Sequence, residues 1–368
     1  MAQEYFRACC ALGWAGSAAL SVTLLATSGT AQTETARPAV PLEPISAILD
    51  AFKSHQVVTF PGGHTDENET QAMLRKLVKD PRFATTVNDI VVEFGNSRYQ
   101  DVMDRYIRGE DVPDAWLRRA WLDVVGAGIA GDNDNTPMFF AAVREANAAA
   151  PPERRIRVLL GDPPIDWDTI TDGRDYSKWA NQRDTYPADL VRRQVLPHNR
   201  RALLVYANGH LKHLENQSNY DMTNWQAQTV VSNIEAPGGA PVFVIRGNGP
   251  LIRWQPDMAS WAPMSVTRIR GTVLGAVDYE DIGGDGDQRY RVRGEGDFVP
   301  IPRDQWIVRP TEDIVDAILD TGPNSNHTSA PISAKLCADP SYIKMRLARI
   351  ALIGIKEADK VKRDCNVK

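Results

Sequence analysis

Four short apolar runs in this 368-residue chain each end, on their C-terminal side, in a group capable of acid–base chemistry. Apolar runs of this length, separated by helical patterns, are typical of buried strands in an α/β protein. In such sheets ligands bind at the carboxyl ends of the strands. The sequence therefore predicts one site built from the groups that follow the four runs: His64 after 56–60, Glu93 after 90–92, Asp162 after 156–160 and His210 after 202–206.

The composition fits a globular protein with a sizeable core, since 43% of the residues are hydrophobic and 24% are charged. The net charge is −5, and the sequence contains no dense run of Lys or Arg. A nucleic-acid-binding surface would require such a basic patch. We therefore expect a small-molecule or peptide substrate as the partner, and no nucleic acid.

The N-terminus has the features of an export signal over residues 1–31. Residues 8–26 are apolar and rich in small side chains, and Gly29-Thr30-Ala31 is a small-x-small cleavage pattern. A single membrane anchor is the alternative interpretation. Cleavage would leave no stable membrane span and two cysteines, Cys337 and Cys365. An even count in an exported chain predicts a disulfide, although two unrelated thiols remain an alternative.

Composition and periodicity divide the mature chain into segments. We expect a linker at 32–43, an α/β domain at 44–330 with a mostly parallel or mixed sheet flanked by helices, and a C-terminal helical extension at 331–368. Within the domain, a helical insertion at 99–150 is predicted to form a lid over the site. A second insertion, at 265–310, is predicted to be β-rich, with short strands at 273–277, 289–292 and 306–308. The tail is predicted to carry one long helix over 340–362.

Glu93 is the clearest anomaly, because it interrupts the apolar run Ile-Val-Val-Glu-Phe. A buried carboxylate must be paired, hydrogen-bonded or neutralised, and perturbed carboxylates in clefts are candidates for function. A structural ion pair with Arg98 is the alternative. Asp162 precedes two prolines, where an Asp is also a common turn former.

His64 and His210 occupy matching positions, each following a strand and a glycine. Histidine is the side chain most readily tuned to exchange a proton near neutral pH. His213 lies three residues beyond His210, so a metal-binding pair is conceivable, but a third ligand at a defined spacing is missing. We leave His55 and His198 as structural residues at the opposite edge of the sheet.

Other catalytic signatures are missing from the sequence. It has no Gly-x-Ser-x-Gly elbow, no Walker loop and no Gly-x-Gly-x-x-Gly after a strand. The remaining mechanism is activation of water, either directly by a His–acid pair or by a metal held by His64, Glu93 and His210.

At these residues the chain resembles the erythromycin esterase-like, ChaN-like and Tiki group of α/β proteins. The strand and His of the first motif, Gly-Glu-x-His, match Val57–His64, and the strand ending in an essential Glu matches Ile90–Glu93. The third motif, Gly-x-x-His, matches Ala207–His210 with Ala in place of Gly. A closer likeness to exported bacterial members is carried by 80–83, 91–104, 159–167 and the tail from Leu336 to Cys365.

The resemblance implies a mixed sheet flanked by helices, with a deep cleft at the strand ends. Members include macrolide-ring ester hydrolases, metal-dependent Tiki proteases and haem-binding lipoproteins. By position, it gives His64 as general base or metal ligand, Glu93 as partner acid and His210 as second His. The motif Glu falls at Gly62 here, and Pro61 replaces the motif Gly. Either Asp66 or Asp162 supplies the missing acid, or the activity is lost.

The resulting hypothesis is a periplasmic or secreted bacterial hydrolase that activates water on an ester, lactone or amide, with His64, Glu93, His210 and Asp162 as catalytic residues. Arg98, Asn208, Asp66 and the Trp- and Tyr-rich segment 166–186 would bind substrate. The alternatives are a non-catalytic binding protein with a degenerate site and a metal-dependent peptidase. No cofactor is assigned from the residues, and the resemblance leaves a divalent metal or haem open.

Overall fold

A parallel sheet forms the centre of the fold. The computed structural model describes residues 36–126, 131–213, 229–247, 258, 260–277, 290–293, 297–300, 309–322, 327–354 and 357–367. Among them, five strands pair in the order β3-β2-β4-β1-β5, and all four pairings are parallel. These strands are β1 (Val57–Phe60), β2 (Asp89–Asn96), β3 (Arg157–Asp162), β4 (Ala202–Val205) and β5 (Val242–Phe243).

Helices cover both faces of this sheet, which confirms the predicted α/β class. In chain order they are α1 (Pro44–Ala51), α2 (Asn68–Lys79), α3 (Phe83–Thr86), α4 (Gln100–Ile107), α5 (Asp114–Leu117), α6 (Arg119–Leu122), α7 (Asn135–Ala149), α8 (Gly173–Ala180), α9 (Thr185–Gln194), α10 (Val230–Glu235), α11 (Ala334–Cys337), α12 (Pro340–Ile353) and α13 (Ala358–Asp364). No helix in the described ranges is long and apolar enough to cross a membrane.

Side chains alternate between the two faces along each strand, as the pleat requires. Val58, Val92 and Leu160 pack into a core with α1, α2, α4 and α7. Val91 and Leu204 pack into a second core with α9 and α10. Because both faces are buried, the strands contain the nearly continuous apolar runs that the sequence shows.

A second, smaller sheet contains β6 (Ile245–Gly247), β10 (Ala317–Asp320) and β7 (Ser265–Arg268). The apolar run at 241–245 is divided at Val244 between the central sheet and this one. A separate antiparallel pair joins β8 (Tyr290–Arg293) to β9 (Asp297–Pro300). The strand predicted at 273–277 is wrong, because this stretch is a turn that follows an isolated bridge at Thr272.

The C-terminal segment folds back on itself through the predicted disulfide. Cys337, the last residue of α11, is bonded to Cys365, directly after α13, which confirms this pairing. The single long helix predicted over 340–362 is wrong. It is divided into α12 and α13 because Gly354 adopts a left-handed backbone conformation (φ 73°) that ends α12.

Several predictions lie outside the described residues. These are the export signal at 1–31, the first four residues of the linker (32–35) and the strand candidate at 306–308.

Candidate functional site

The strand order brings the four predicted chemical groups to one edge of the sheet. Strands β3, β2, β4 and β1 are direct neighbours and all run in the same direction. Glu93 lies within β2, and Asp162 is the last residue of β3. His64 and His210 follow β1 and β4 at the same edge. The sequence prediction that these runs are parallel neighbours is therefore confirmed.

The link between α8 and α9 brings Arg183 and Asp184 onto this edge. Glu93 is two residues beyond Val91, so it faces the same side of the sheet as the core against α9 and α10. On that side Arg183 contacts both Glu93 and Asp162, while Asp184 contacts His210. A short network of alternating charges thus connects three strand ends.

Glu93 accepts hydrogen bonds from three donors. The Oε1 atom receives Arg183 Nη2 at 2.5 Å and lies 3.3 Å from His210 Nε2, and Oε2 receives the Ala207 amide at 2.6 Å. Burial alone would raise the pKa of Glu93, but the charges of His210 and Arg183 outweigh it and hold the pKa well below its usual range. The carboxyl group is therefore ionised at neutral pH.

His210 is held between two carboxylates. Its Nδ1 lies 2.7 Å from Asp184 Oδ1, and its Nε2 faces Glu93. Burial lowers the pKa of His210, but Glu93 and Asp184 together raise it to about 10. The ring is an imidazolium at neutral pH, and both of its N–H groups donate to carboxylates.

Asp162 lies on the far side of Arg183 from Glu93. Its Oδ1 is 3.8 Å from Arg183 Nε, and its Oδ2 accepts a hydrogen bond from the Val125 amide. Burial raises the pKa of Asp162 to about 7, with the charge of Arg183 opposing the shift. Asp184, and not Asp162, is the carboxylate that contacts His210 Nδ1, because Arg183 stands between Asp162 and the rest of the network.

The loop that carries His64 packs directly on Glu93. A side chain at Gly63 would place its Cβ 2.1 Å from both Glu93 Oε2 and the Ala207 nitrogen, so only glycine allows this approach. Thr65, which is buried, holds the loop from the other side through Asn135 and Thr136 at the start of α7. His64 itself is exposed, and it contributes less than His210 and Arg183 do to the low pKa of Glu93.

The structure leaves no place for the motif acid at position 62. A Cβ there would lie within 3.0 Å of the Phe60 ring and of Val205. Asp66 does not replace it at Glu93, since its carboxylate accepts from Ser329 and lies 3.5 Å from Lys360.

Two of the predicted substrate-binding residues, Arg98 and Asn208, bond to residues outside the charged network. Arg98 pairs with Asp166 at 2.6 Å rather than with Glu93, whose cationic partner is Arg183. Asn208 accepts a hydrogen bond from the Gly247 amide through Oδ1. Their roles in binding substrate stay predictions.

His213 belongs to a separate cluster. Its Nδ1 lies 3.0 Å from Glu235 Oε2 and its Nε2 lies 2.9 Å from Asp316 Oδ2. With both nitrogens bound to these carboxylates, His213 does not form a metal-binding pair with His210.

The residues predicted as metal ligands do not fit a divalent cation in this arrangement. Arg183 and the imidazolium of His210 already surround Glu93 with positive charge, and a protonated imidazole has no lone pair to offer. Within the ranges that the structure describes, no group of three His, Cys, Asp or Glu side chains is placed to hold a metal ion. The imidazolium of His210 has no lone pair for a haem iron either. Of the three residues predicted as metal ligands, His64 is the histidine whose ring nitrogens are not bound to carboxylates of the described residues.

Sequence reasoning missed Arg183 and Asp184, although both belong to the Asp-, Trp- and Tyr-rich segment that was predicted to shape the site. It also missed α8, which occupies 173–180 within this segment. Comparisons with family models, curated proteins and solved structures found no match.

Proposed function

We propose that this protein is an exported hydrolase in which His64 activates a water molecule for attack on an ester, lactone or amide carbonyl. The observation that carries the proposal is the position of Glu93. It is an ionised carboxylate at the strand ends, in contact with the imidazolium of His210 on one side and with the backbone of the His64 loop on the other.

His64 is the base in this proposal because its imidazole is exposed and makes no hydrogen bond within the described part of the chain. A lone pair on one ring nitrogen is therefore free to accept a proton from water. His210 is a poor base, because its pKa of about 10 keeps it protonated at neutral pH.

His210 instead supplies positive charge. A fixed imidazolium stabilises negative charge that develops on a carbonyl oxygen. Asp184 and Glu93 fix its orientation through the two ring nitrogens. Asp162 acts indirectly, because it helps to position Arg183 against Glu93.

Glu93 keeps capacity to orient a further donor. A carboxylate offers roughly four acceptor positions, and Arg183, Ala207 and His210 use three of them. The remaining position suits an N–H of His64 or the attacking water. In the reaction the water oxygen bonds to the carbonyl carbon and its proton passes to His64. The C–O or C–N bond then breaks as the protonated His64 gives that proton to the leaving group, which restores His64 as a base.

The disulfide supports the exported location in this proposal. Disulfides persist in oxidising compartments and are rare in the cytosol, and Cys337 and Cys365 are bonded here. We place the mature protein in the periplasm or outside the cell.

The test is a hydrolysis screen of the purified protein against chromogenic esters, lactones and peptides. His64→Gln should reduce turnover about 100-fold or more. The matched control is His198→Gln, which alters an exposed His outside the network and should keep wild-type turnover. Full activity in His64→Gln, or no hydrolysis of any substrate class by the wild type, would contradict the proposal. Loss of activity with a chelator would favour the metal-dependent peptidase.

One observation favours a non-catalytic binding protein as second candidate. Glu93 and His210 spend most of their hydrogen-bonding capacity on neighbours within the fold, as structural ion pairs do. Titration with haemin, followed by the Soret band, distinguishes this candidate. A saturable Soret shift that His64→Gln abolishes, without hydrolysis in the screen, would support it.

A further inference from the structure

Tyr206 extends from the end of β4 across the sheet beneath the charged network. The side chain is fully buried on the face covered by α9 and α10. Its hydroxyl lies over Gly161 in β3, where a Cβ would approach it to 2.2 Å. Gly161 therefore provides the space that the hydroxyl fills, next to Asp162.

Two buried donors at this place have no hydrogen-bond acceptor among the described residues: the Tyr206 hydroxyl and Arg183 Nε. Buried polar groups without a partner are rare because each loses its hydration on folding. Arg183 Nε is nearest to Asp162 Oδ1, but their separation of 3.8 Å is too long for a direct hydrogen bond.

We propose that Tyr206 and Arg183 bind one internal water molecule together with Asp162, and that Tyr206 is thereby a positioning residue for the Arg183–Glu93 pair. The water accepts hydrogen bonds from the Tyr206 hydroxyl and from Arg183 Nε, and it donates one to Asp162 Oδ1. Three hydrogen bonds are typical of a buried water in a globular protein.

The surrounding charges give this water a second effect. Asp162 faces Arg183 from the α8–α9 link, Glu93 from β2, Tyr176 from α8 and Tyr206 from β4. A water polarised by two donors favours the ionised form of Asp162, whose pKa of about 7 lies within the working range of many proteins. The consequence for catalysis rests on the proposed function, but the water site itself does not.

The experiment combines a crystal structure of the full mature chain with a titration of ¹³C-labelled aspartate carboxyl groups by NMR. The Asp162 resonance is assigned by its loss in Asp162→Asn. We expect an ordered water within hydrogen-bond distance of the Tyr206 hydroxyl and Arg183 Nε. In Tyr206→Phe we expect the Asp162 midpoint to rise by about half to one pH unit.

The matched control is Tyr342→Phe, which removes another buried hydroxyl, bonded to Asp132 rather than to a member of the charged network. It should leave the Asp162 midpoint unchanged. An absent water, or an unchanged midpoint in Tyr206→Phe, overturns the proposal. If Tyr206→Phe does not fold, the wild-type crystal structure alone decides. Neither measurement depends on turnover, so the water site and the hydrolase proposal can fail separately.

Discussion

His210 and His213 are three residues apart, and each is held between two carboxylates, but the other residues around the two clusters differ. His210 lies between Glu93 and Asp184, at 3.3 and 2.7 Å. His213 lies between Glu235 and Asp316, at 3.0 and 2.9 Å. In each case burial lowers the histidine pKa, but the carboxylates outweigh this effect. They raise the pKa to about 10 for His210 and to about 9 for His213.

The carboxylates around His213 are tied to the backbone. Glu235 Oε1 accepts from the Val242 amide, and Asp316 Oδ2 accepts from the Val244 amide. His213 thus joins the end of α10, the strand that divides at Val244 and the segment before β10. Among the described residues, no exposed histidine contacts this cluster. Its arginine, Arg270, lies 3.7 Å from Asp316, whereas Arg183 lies 2.5 Å from Glu93. A histidine held between two carboxylates can thus serve only to join parts of the fold. The His210 cluster differs because the exposed His64 lies beside Glu93.

The largest expected difference between the two clusters comes from neutralising one carboxylate in each of them. Glu93→Gln leaves Arg183 and His210 without their shared counter-charge, so we expect a loss of about 3–5 kcal/mol in the free energy of unfolding. Glu235→Gln keeps Asp316 beside His213 and should cost less. Urea denaturation at pH 7 measures both. A smaller loss in Glu93→Gln than in Glu235→Gln would show that the Glu93 network is not the more tightly coupled one.

The second comparison replaces the histidines themselves. His213→Gln should lower the free energy of unfolding by about 2–3 kcal/mol, because it removes a charge-assisted bond to each of two carboxylates. Turnover per folded molecule should stay at the wild-type level. His210→Gln should reduce turnover as well as stability. Equal turnover in the two variants would remove the functional distinction between the clusters.

The sequence was sufficient to predict the sheet and the edge where the site lies. The apolar runs around Val58, Val91, Leu159 and Leu204 are buried on both faces, and a run of that kind has few alternatives to a central strand. Glu93 was recognisable for the same reason, since a carboxylate is conspicuous in such a run. The disulfide followed from a count of two cysteines.

The partners of these residues could not be predicted, because they depend on tertiary packing. Arg183 reaches Glu93 only because the α8–α9 link crosses the strand ends, and local periodicity carries no information about that crossing. Arg98 is closer in sequence, but it follows the bulge in β2 and turns toward Asp166. The division of one apolar run between two sheets at Val244 is also a tertiary event. The break at Gly354, by contrast, had a visible signal in the glycine itself.

The pH dependence of stability sharpens the contrast for His213. Its folded pKa of about 9 exceeds the unfolded value of 6.5, so its contribution is complete below about pH 6.5 and is lost as the pH rises through 9. The stability difference between wild type and His213→Gln should therefore shrink by about 3 kcal/mol between pH 6 and pH 9.5. Urea denaturation across this range measures it. A difference that stays constant with pH would mean that His213 is neutral in the fold.

The smallest expected effect compares Arg98, the predicted partner of Glu93, with Arg183, its partner in the structure. Arg98 is 47% exposed and its partner Asp166 is also in contact with solvent, so water screens their attraction. Arg98→Ala should change the free energy of unfolding by less than about 1 kcal/mol, as is usual for surface ion pairs. Arg183→Ala should cost several times more, because it leaves Glu93 and Asp162 without the cation between them. If Arg98→Ala proves neutral for stability but raises KM in the hydrolysis screen, the predicted role of Arg98 in substrate binding is supported. If KM is also unchanged, that role is excluded, and Arg183 is the arginine of the pair that serves this edge of the sheet.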